Sequence, residues 1–492
     1  MLAGALTLSL ARWIRHWASF RPEAAALAAG ERRLGYAELE RRTLALAGGL
    51  ARRGIGRGDR VAFIGLNRPE QIELVFACAH LGAIQVPLNW RLAPPELAYI
   101  LGHSGAALAV AAREFLPALP AAPRHLVLGE AYEDLIGEGQ EAAEAGSPAD
   151  ALLIVYTSGT TGRPKGAVLT QQAALVNALN AVAAYDLTSA SHVLTMLPMF
   201  HVGGLNIQTL PTLYAGGRVT LLPRFEPEAW FNAVERERPT LSLVVPAVMR
   251  ALIEHPRWAR VDLTSLAMVG AGSSTVSEAL IRAFHAKGLA VAQVYGATET
   301  GPICLHQRRA DALANLGSTG KPALHSEVRL VDAAGQVGDR GEIQVRGRHL
   351  LREYWNDPQA SAEAFDGGWY RTGDLGHRDA AGWYWVDDRK QDLIVSGGEN
   401  VYPAELENVL ADCAEIGEAA VIGRPDPRWG EVAVACVVRR PGARLDEAQV
   451  LRLFEGRLAR FKHPRAVVFL DSLPRNVMGK VQKFELRRRL EA

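Results

Sequence analysis

Apolar and polar positions along the chain fall into two alternating textures. In "LGYAELERRTLALAGGLARRGIGRGDRVAFIGLN" an amphipathic stretch with apolar positions three and four apart leads into a short β-branched run, and Gly and Asn punctuate the change. The same rhythm continues along the chain, for example in the buried-strand pattern "ALLIV" (151–155), and it predicts α/β architecture. No solenoid-period repeat and no low-complexity tract interrupts it. From about Gly341 the texture changes to short strand-like pieces, "GEIQVRG" and "GWYRTGDLGHRDAAGWYWVDDR", which predict a β-rich subdomain over about 341–388.

After "DDRKQD" a separate apolar pattern begins. It predicts a strand pair, a helix around "PAELENVLAD", strands "EAAVIGR" and "VAVACVVRR", and a second helix from about Asp446 to Arg460. A polar, charged cluster at 389–392 divides the two patterns. The expected organisation is therefore a large N-terminal domain over 1–388, a hinge over 389–392 and a small α+β domain over 393–492.

Length agrees: 492 residues exceed one ordinary domain of roughly 150. Apolar residues make up 49% and charged residues 22%, as in a globular enzyme. Lys plus Arg (54) nearly cancels Asp plus Glu (53), and the net charge of +1 gives no electrostatic basis for nucleic-acid binding. The cysteines Cys78, Cys304, Cys413 and Cys436 follow no disulfide or metal-ligand spacing, which fits a reducing, cytoplasmic location. The N-terminal "MLAGALTLSLARWIRHW" is apolar before it is basic, the reverse of a secretory signal, and is far shorter than the roughly 18 apolar residues of a membrane span. A helix docking by its apolar side is expected; a peripheral membrane helix using Arg12, Trp13 and Arg15 is the alternative.

The chemistry begins at "VYTSGTTGRPKG" (155–166). Hydroxyls and glycines behind a strand, closed by one Lys, suggest phosphate binding, yet Pro164 and Gly166 on either side of Lys165 exclude the Walker pattern of Gly-Lys-Ser/Thr. Four further stretches carry candidates: "LPMFHVGG" with His201, "VYGATETG" with Tyr295, Thr298 and Glu299, "YRTGDLG" with Asp374, and "LPRNVMGKVQK" with Lys480.

In this order and at these separations the motifs resemble the adenylate-forming acyl-CoA synthetase family, over nearly the whole chain. The resemblance implies a large multi-subdomain adenylate-forming domain and a small mobile C-terminal domain. It implies ATP, Mg²⁺ and coenzyme A as partners of a small carboxylic acid, while homo-oligomerisation is left open. Thr157, Ser158, Thr160 and Thr161 would offer hydroxyls to the ATP phosphates, and Gly159 and Gly162 close backbone approach; Lys165 would add charge to that loop. Glu299 resembles the Mg²⁺ carboxylate, Tyr295 the adenine contact, with Gly272, Gly296 and Thr298 beside the nucleotide, and Asp374, with Arg389, the ribose ligand. Lys480 would stabilise the charge that grows on the α-phosphate.

The family's second half-reaction implies rotation about a hinge, here at Gln391, that withdraws Lys480 and brings "SGGEN" over the site. Gly397 and Gly398 would admit the pantetheine arm, and Glu399 would meet His201, which resembles the gate of the acyl pocket. Arg91, Trp429 and Phe461 resemble contacts to the CoA nucleotide, whereas His463 stands where one relative carries Arg. At "GAGSST" the family commonly has Gly-Gly-Ala-Pro; Ser273, Ser274 and Thr275 replace that wall.

His201, Val245, Pro246, Met249, Gly272 and Val294 are the acyl-pocket candidates, and their apolar or small character favours an uncharged tail, aliphatic or phenylpropenoic. An amino-acid adenylation domain would need an Asp after Phe200, where His201 stands. A dicarboxylate ligase would need an Arg at Val294. A non-catalytic binding relative would have lost Lys480, Glu299 or Asp374.

Overall fold

The computed structural model describes residues 9–157, 164–273, 276–390, 392–396, 399–427, 429–458, 460–475 and 481–491, with the side chains of 399, 400, 461 and 491 also outside the description. Backbone packing divides the chain into two compact units. The first comprises Met1–Ser273, Ala283–Val328 and Val345–Tyr370; the second comprises Ser274–Arg282, Arg329–Gln344 and Arg371–Ala492.

The first unit contains two sheets. In the seven-stranded one the order is Glu353–Tyr354, Lys165–Thr170, Ala151–Thr157, Ile84–Pro87, Arg60–Ile64, Leu108–Ala111, Arg124–Val127. The last five are mutually parallel, and the two at the other edge run antiparallel. In the nine-stranded sheet the order is Lys321–Pro322, Leu305–His306, Ala290–Tyr295, Met268–Ala271, Leu241–Val244, His192–Thr195, Arg218–Leu221, Ala25–Ala29, Arg32–Gly35. Its six strands from Ala290–Tyr295 to Ala25–Ala29 are parallel.

Strands such as Leu108–Ala111, Leu241–Val244 and Met268–Ala271 are buried along their whole length. Parallel strands covered on both faces must be apolar throughout, which is why the sequence shows continuous apolar runs there instead of alternation. The α/β expectation is met.

The helix Ala11–Phe20 docks on this unit. Trp13 packs edge-on against Phe76 and Tyr214, the Trp17 indole donates to Tyr214 O at 2.8 Å, and a Cβ on Gly216 would sit 2.5 Å from the Trp17 ring. Arg12 and Arg15 pair with Glu144 and Glu40. Arg12, Trp13 and Arg15 are thus each engaged with neighbours in this unit.

A partly buried ion network ties three helices, Tyr36–Arg52, Pro69–Leu81 and Glu130–Gly137. The Arg42 guanidinium donates to Glu73 at 2.7 and 3.2 Å and to Glu133 at 2.7 and 2.8 Å, and the Tyr132 hydroxyl donates to Glu73 at 2.9 Å. The Glu73 side chain is wholly buried, so removing its partner strands a charge. Arg42→Ala is expected to destabilise the protein by about 3–5 kcal/mol, read as a lowered urea midpoint for loss of tertiary fluorescence. A shift within error would show that Arg32, 3.3 Å from Glu73, compensates.

In the second unit Asp374–Arg378 pairs antiparallel with Tyr384–Arg389. A C-terminal sheet in the order Glu399–Val401, Ile394–Ser396, Gly430–Arg439, Ile416–Asp426, with Ala466–Phe469 parallel to Gly430–Arg439, packs on the helix Pro403–Ala411. Ile394, Leu406, Val421, Ala435 and Phe454 form its core.

One element departs from expectation. The helix anticipated from Asp446 to Arg460 spans only Glu447–Arg452. It starts as expected, with an Asp446–Gln449 capping box at 2.7 and 2.8 Å. Turns follow it, and Gly456 adopts a left-handed conformation with φ +71°, which an α-helix does not contain.

Candidate active site

The carboxyl ends of adjacent parallel strands are where open α/β sheets place ligands. In the nine-stranded sheet the ends of Ala290–Tyr295, Met268–Ala271, Leu241–Val244 and His192–Thr195 lead into Glu299, Gly272, Val245 and His201 respectively. Four separate sequence motifs therefore converge along one sheet edge.

Tyr295 ends its strand, half-buried, and its carbonyl accepts from the Cys304 amide at 3.1 Å. Gly296 has no alternative, since a Cβ there would lie 1.7 Å from Pro302 O. Thr298–Thr300 forms a single tight turn, fixed by the Thr300 hydroxyl, which accepts from the Ala297 amide at 2.8 Å.

That turn delivers Glu299, which is 8% exposed. Its Oε1 accepts from the Thr157 hydroxyl at 3.1 Å and from the Tyr354 hydroxyl at 3.2 Å. Tyr354 in turn lies 3.4 Å from the Tyr370 hydroxyl. Burial, and then the Glu299 charge, push both tyrosines well above the usual phenol range, so they remain donors. Among the described residues Glu299 forms no ion pair, and no cluster of three metal-ligating side chains is present. Mg²⁺ characteristically takes one or two carboxylates and completes its shell with phosphate and water. A buried carboxylate with neutral hydroxyl neighbours fits that requirement.

Thr157 and Lys165 are directly paired across two antiparallel strands, and Lys165 Nζ stands 5.4 Å above the Tyr354 ring. Ser158, Gly159, Thr160, Thr161 and Gly162, between them, lie outside the described residues, as do Lys480, Gln391, Gly397, Gly398 and the side chains of Glu399 and Phe461.

His201 caps the helix Val202–Asn206 through its backbone, its carbonyl accepting from the Leu205 amide at 3.0 Å. Its Nε2 is sealed from solvent without a hydrogen-bond partner. Desolvation, aided by the charge of Arg91, lowers its pKa to about 3, so the ring is neutral near pH 7. Phe200 lies tilted beside it at 4.8 Å, Trp90 meets Phe200 edge-on at 6.5 Å, and the Arg91 guanidinium lies 4.7 Å over Trp90. The gate candidate and the CoA candidate Arg91 thus belong to one aromatic cluster.

Gly272 abuts Val294, where a Cβ would meet the Val294 carbonyl at 2.5 Å. Val294 and Met249 are buried, and Val245 opens the helix Pro246–Glu254. Ser273 adopts φ +74°, a conformation closed to the proline common in the family wall.

In the second unit Asp374 faces Arg389 across the strand pair, Oδ1 to Nε at 2.7 Å. Gly373, just before it in the same strand, adopts φ +70°. Trp429 is 38% exposed, with the Arg465 guanidinium 5.7 Å from its ring. Sequence reasoning missed Tyr354, which no motif surrounds, and Tyr370, which opens "YRTGDLG" but carries no signal of its own; their approach to Glu299 depends on Glu353–Tyr354 joining the sheet beside Lys165–Thr170.

Residues 14–355 match the AMP-binding enzyme family model, and residues 405–480 match that of the AMP-binding enzyme C-terminal domain. The chain belongs to this family. It is an AMP-forming acid–CoA ligase that uses ATP. It is 45% identical over 498 residues to the indoleacetate–CoA ligase of Aromatoleum aromaticum, covering 98% of each chain. A feruloyl-CoA synthase of an Amycolatopsis species is 42% identical over 489 residues, covering 98% of this chain and 99% of the other. Among solved structures, the anthranilate CoA ligase AuaEII in complex with anthranoyl-AMP superposes with TM-score 0.92 at 27% identity, covering 99% of this ligase and 98% of that chain. Among the ligase's described residues no helix is long and apolar enough to cross a membrane.

Proposed function

We propose that this ligase activates a monocarboxylic acid with an uncharged aromatic or aliphatic tail. The carboxylate oxygen attacks the α-phosphorus of ATP, pyrophosphate leaves, and the acyl-AMP then loses AMP to attack by the coenzyme A thiol. The observation that carries this reading is the order along the sheet edge: Glu299, Gly272, Val245, His201. It supports a nucleotide end beside an acyl end.

Within this reading Glu299 holds Mg²⁺, which when bound neutralises phosphate charge. Thr157, Ser158, Gly159, Thr160, Thr161, Gly162 and Lys165 grip the phosphates. Tyr295, Gly296, Thr298 and Gly272 border the adenine, and Asp374, oriented by Arg389, takes the ribose hydroxyls. His201, neutral and partnerless at Nε2, gates the acyl pocket formed with Val245, Met249 and Val294. The small C-terminal domain moves between half-reactions about 389–392, and Arg91, Gly397, Gly398, Trp429 and Phe461 receive coenzyme A. The substrates for which the relatives are named, indoleacetate and ferulate, support an aromatic acid.

The test is pyrophosphate exchange and CoA-ester formation with octanoate, ferulate and malonate. Malonate is expected to be the poorest by at least about a hundredfold in kcat/KM, because its second carboxylate would be buried unpaired. Malonate as the best substrate of the three would refute the substrate class.

A further inference from the structure

Against the strand Met268–Ala271 two buried polar side chains lie close together. Tyr185, the last residue of the helix Gln171–Tyr185, is 3% exposed, and Gln208, seven residues past His201, is 2% exposed. The Tyr185 hydroxyl and both amide atoms of Gln208 are buried without a hydrogen-bond partner. Such atoms ordinarily find partners, and leaving them bare is costly.

They pack against a residue that has no side chain of its own. Gly270 lies in the strand Met268–Ala271, two residues before Gly272, and a Cβ there would stand 2.8 Å from the Tyr185 hydroxyl, 2.9 Å from Leu243 Cδ1 and 3.1 Å from Gln208 Nε2. Gln208 also lines a small cavity with Thr195, Gly203, Gly204 and Leu243. Burial raises the Tyr185 hydroxyl well above its ordinary range, against a smaller lowering by the neighbouring Gln208 side chain, so it stays protonated and serves as donor and acceptor. One bond between Tyr185 and Gln208 would still leave an amide N–H and lone pairs open.

We propose that Tyr185 and Gln208 form a polar floor of the acyl pocket and select aryl acids that carry a hydroxyl or ring N–H on the side remote from the carboxylate. The inference rests on the ligase reading above and narrows its substrate. The remote group donates to the Gln208 carbonyl or the Tyr185 oxygen and accepts from the opposite partner, so the pocket rejects an isostere that leaves both bare.

The experiment compares kcat/KM for indole-3-acetate against 1-naphthaleneacetate and for 4-hydroxycinnamate against cinnamate, with octanoate as reference, in the wild type, Tyr185→Phe and Gln208→Leu. In the wild type the polar member of at least one pair is expected to lead by about tenfold or more. Each variant is expected to erase that lead, chiefly by raising the apolar member. Tyr185→Phe deletes one oxygen and decides the matter alone if Gln208→Leu fails to fold. Equal use of both members of each pair by the wild type, or a preference that survives in the variants, overturns the polar floor. Turnover of octanoate but of no aryl acid overturns the floor and leaves the ligase standing; no exchange with any acid overturns both.

Discussion

Glu299→Gln is expected to lower the rate of pyrophosphate exchange about a hundredfold and to raise the Mg²⁺ concentration needed for half-maximal rate. The substituted amide keeps an oxygen where Oε1 accepts from Thr157 and Tyr354 at 3.1 and 3.2 Å, so the local hydrogen bonds survive. What disappears is the negative charge, the property that a hard cation requires. Loss of one such ligand from a phosphate-transfer site is on the scale of a few kcal/mol. The melting temperature, measured on the same sample, separates the two roles that a buried carboxylate can have. A variant that melts early while retaining its Mg²⁺ dependence would make Glu299 structural.

Lys480→Ala should abolish acyl-AMP formation while largely sparing transfer from chemically prepared acyl-AMP to coenzyme A. Lys480 lies outside the described residues, and the argument rests on its place in "PRNVMGK" and on transition-state charge. An ammonium group aimed at the α-phosphate oxygens interacts most strongly when their charge is greatest, so its removal acts on the rate of the first step. A loss of about 10²–10³-fold is the scale for one such electrostatic contact. Thioester formation breaks the acyl–phosphate bond with AMP as leaving group and needs no cation at that position. Rapid-quench measurement of the two half-reactions decides it: equal losses in both would contradict a lysine that serves only the first.

The chain states its chemistry in local order, and that much was readable directly. Each nucleotide motif is short and sits where a strand gives way to a turn, so hydroxyls, glycines and a carboxylate come at fixed offsets from an apolar run. "ALLIV" followed by "YTSGTTG" and "VAQVY" followed by "GATETG" carry both the strand and the chemistry it presents. Glu299, Thr157, Asp374 and His201 could be named for that reason. The helix after Asp446 was legible at its start, where a capping box is a local signal, and illegible at its end, where Gly456 at φ +71° defeats the continuing periodicity.

What the sequence alone determined, then, was the alternation of elements, the family of motifs and the charge balance, because these follow from side-chain period and turn chemistry within a few residues. Only the tertiary structure decided which distant residues share an environment. Tyr354 reaches Glu299 because a two-residue strand joins a sheet edge. Tyr185, Gln208 and Gly270 meet because a helix end, a loop and a strand pack around one absent Cβ. Such contacts are set by strand order and packing between elements separated by tens of residues, and no local pattern encodes them.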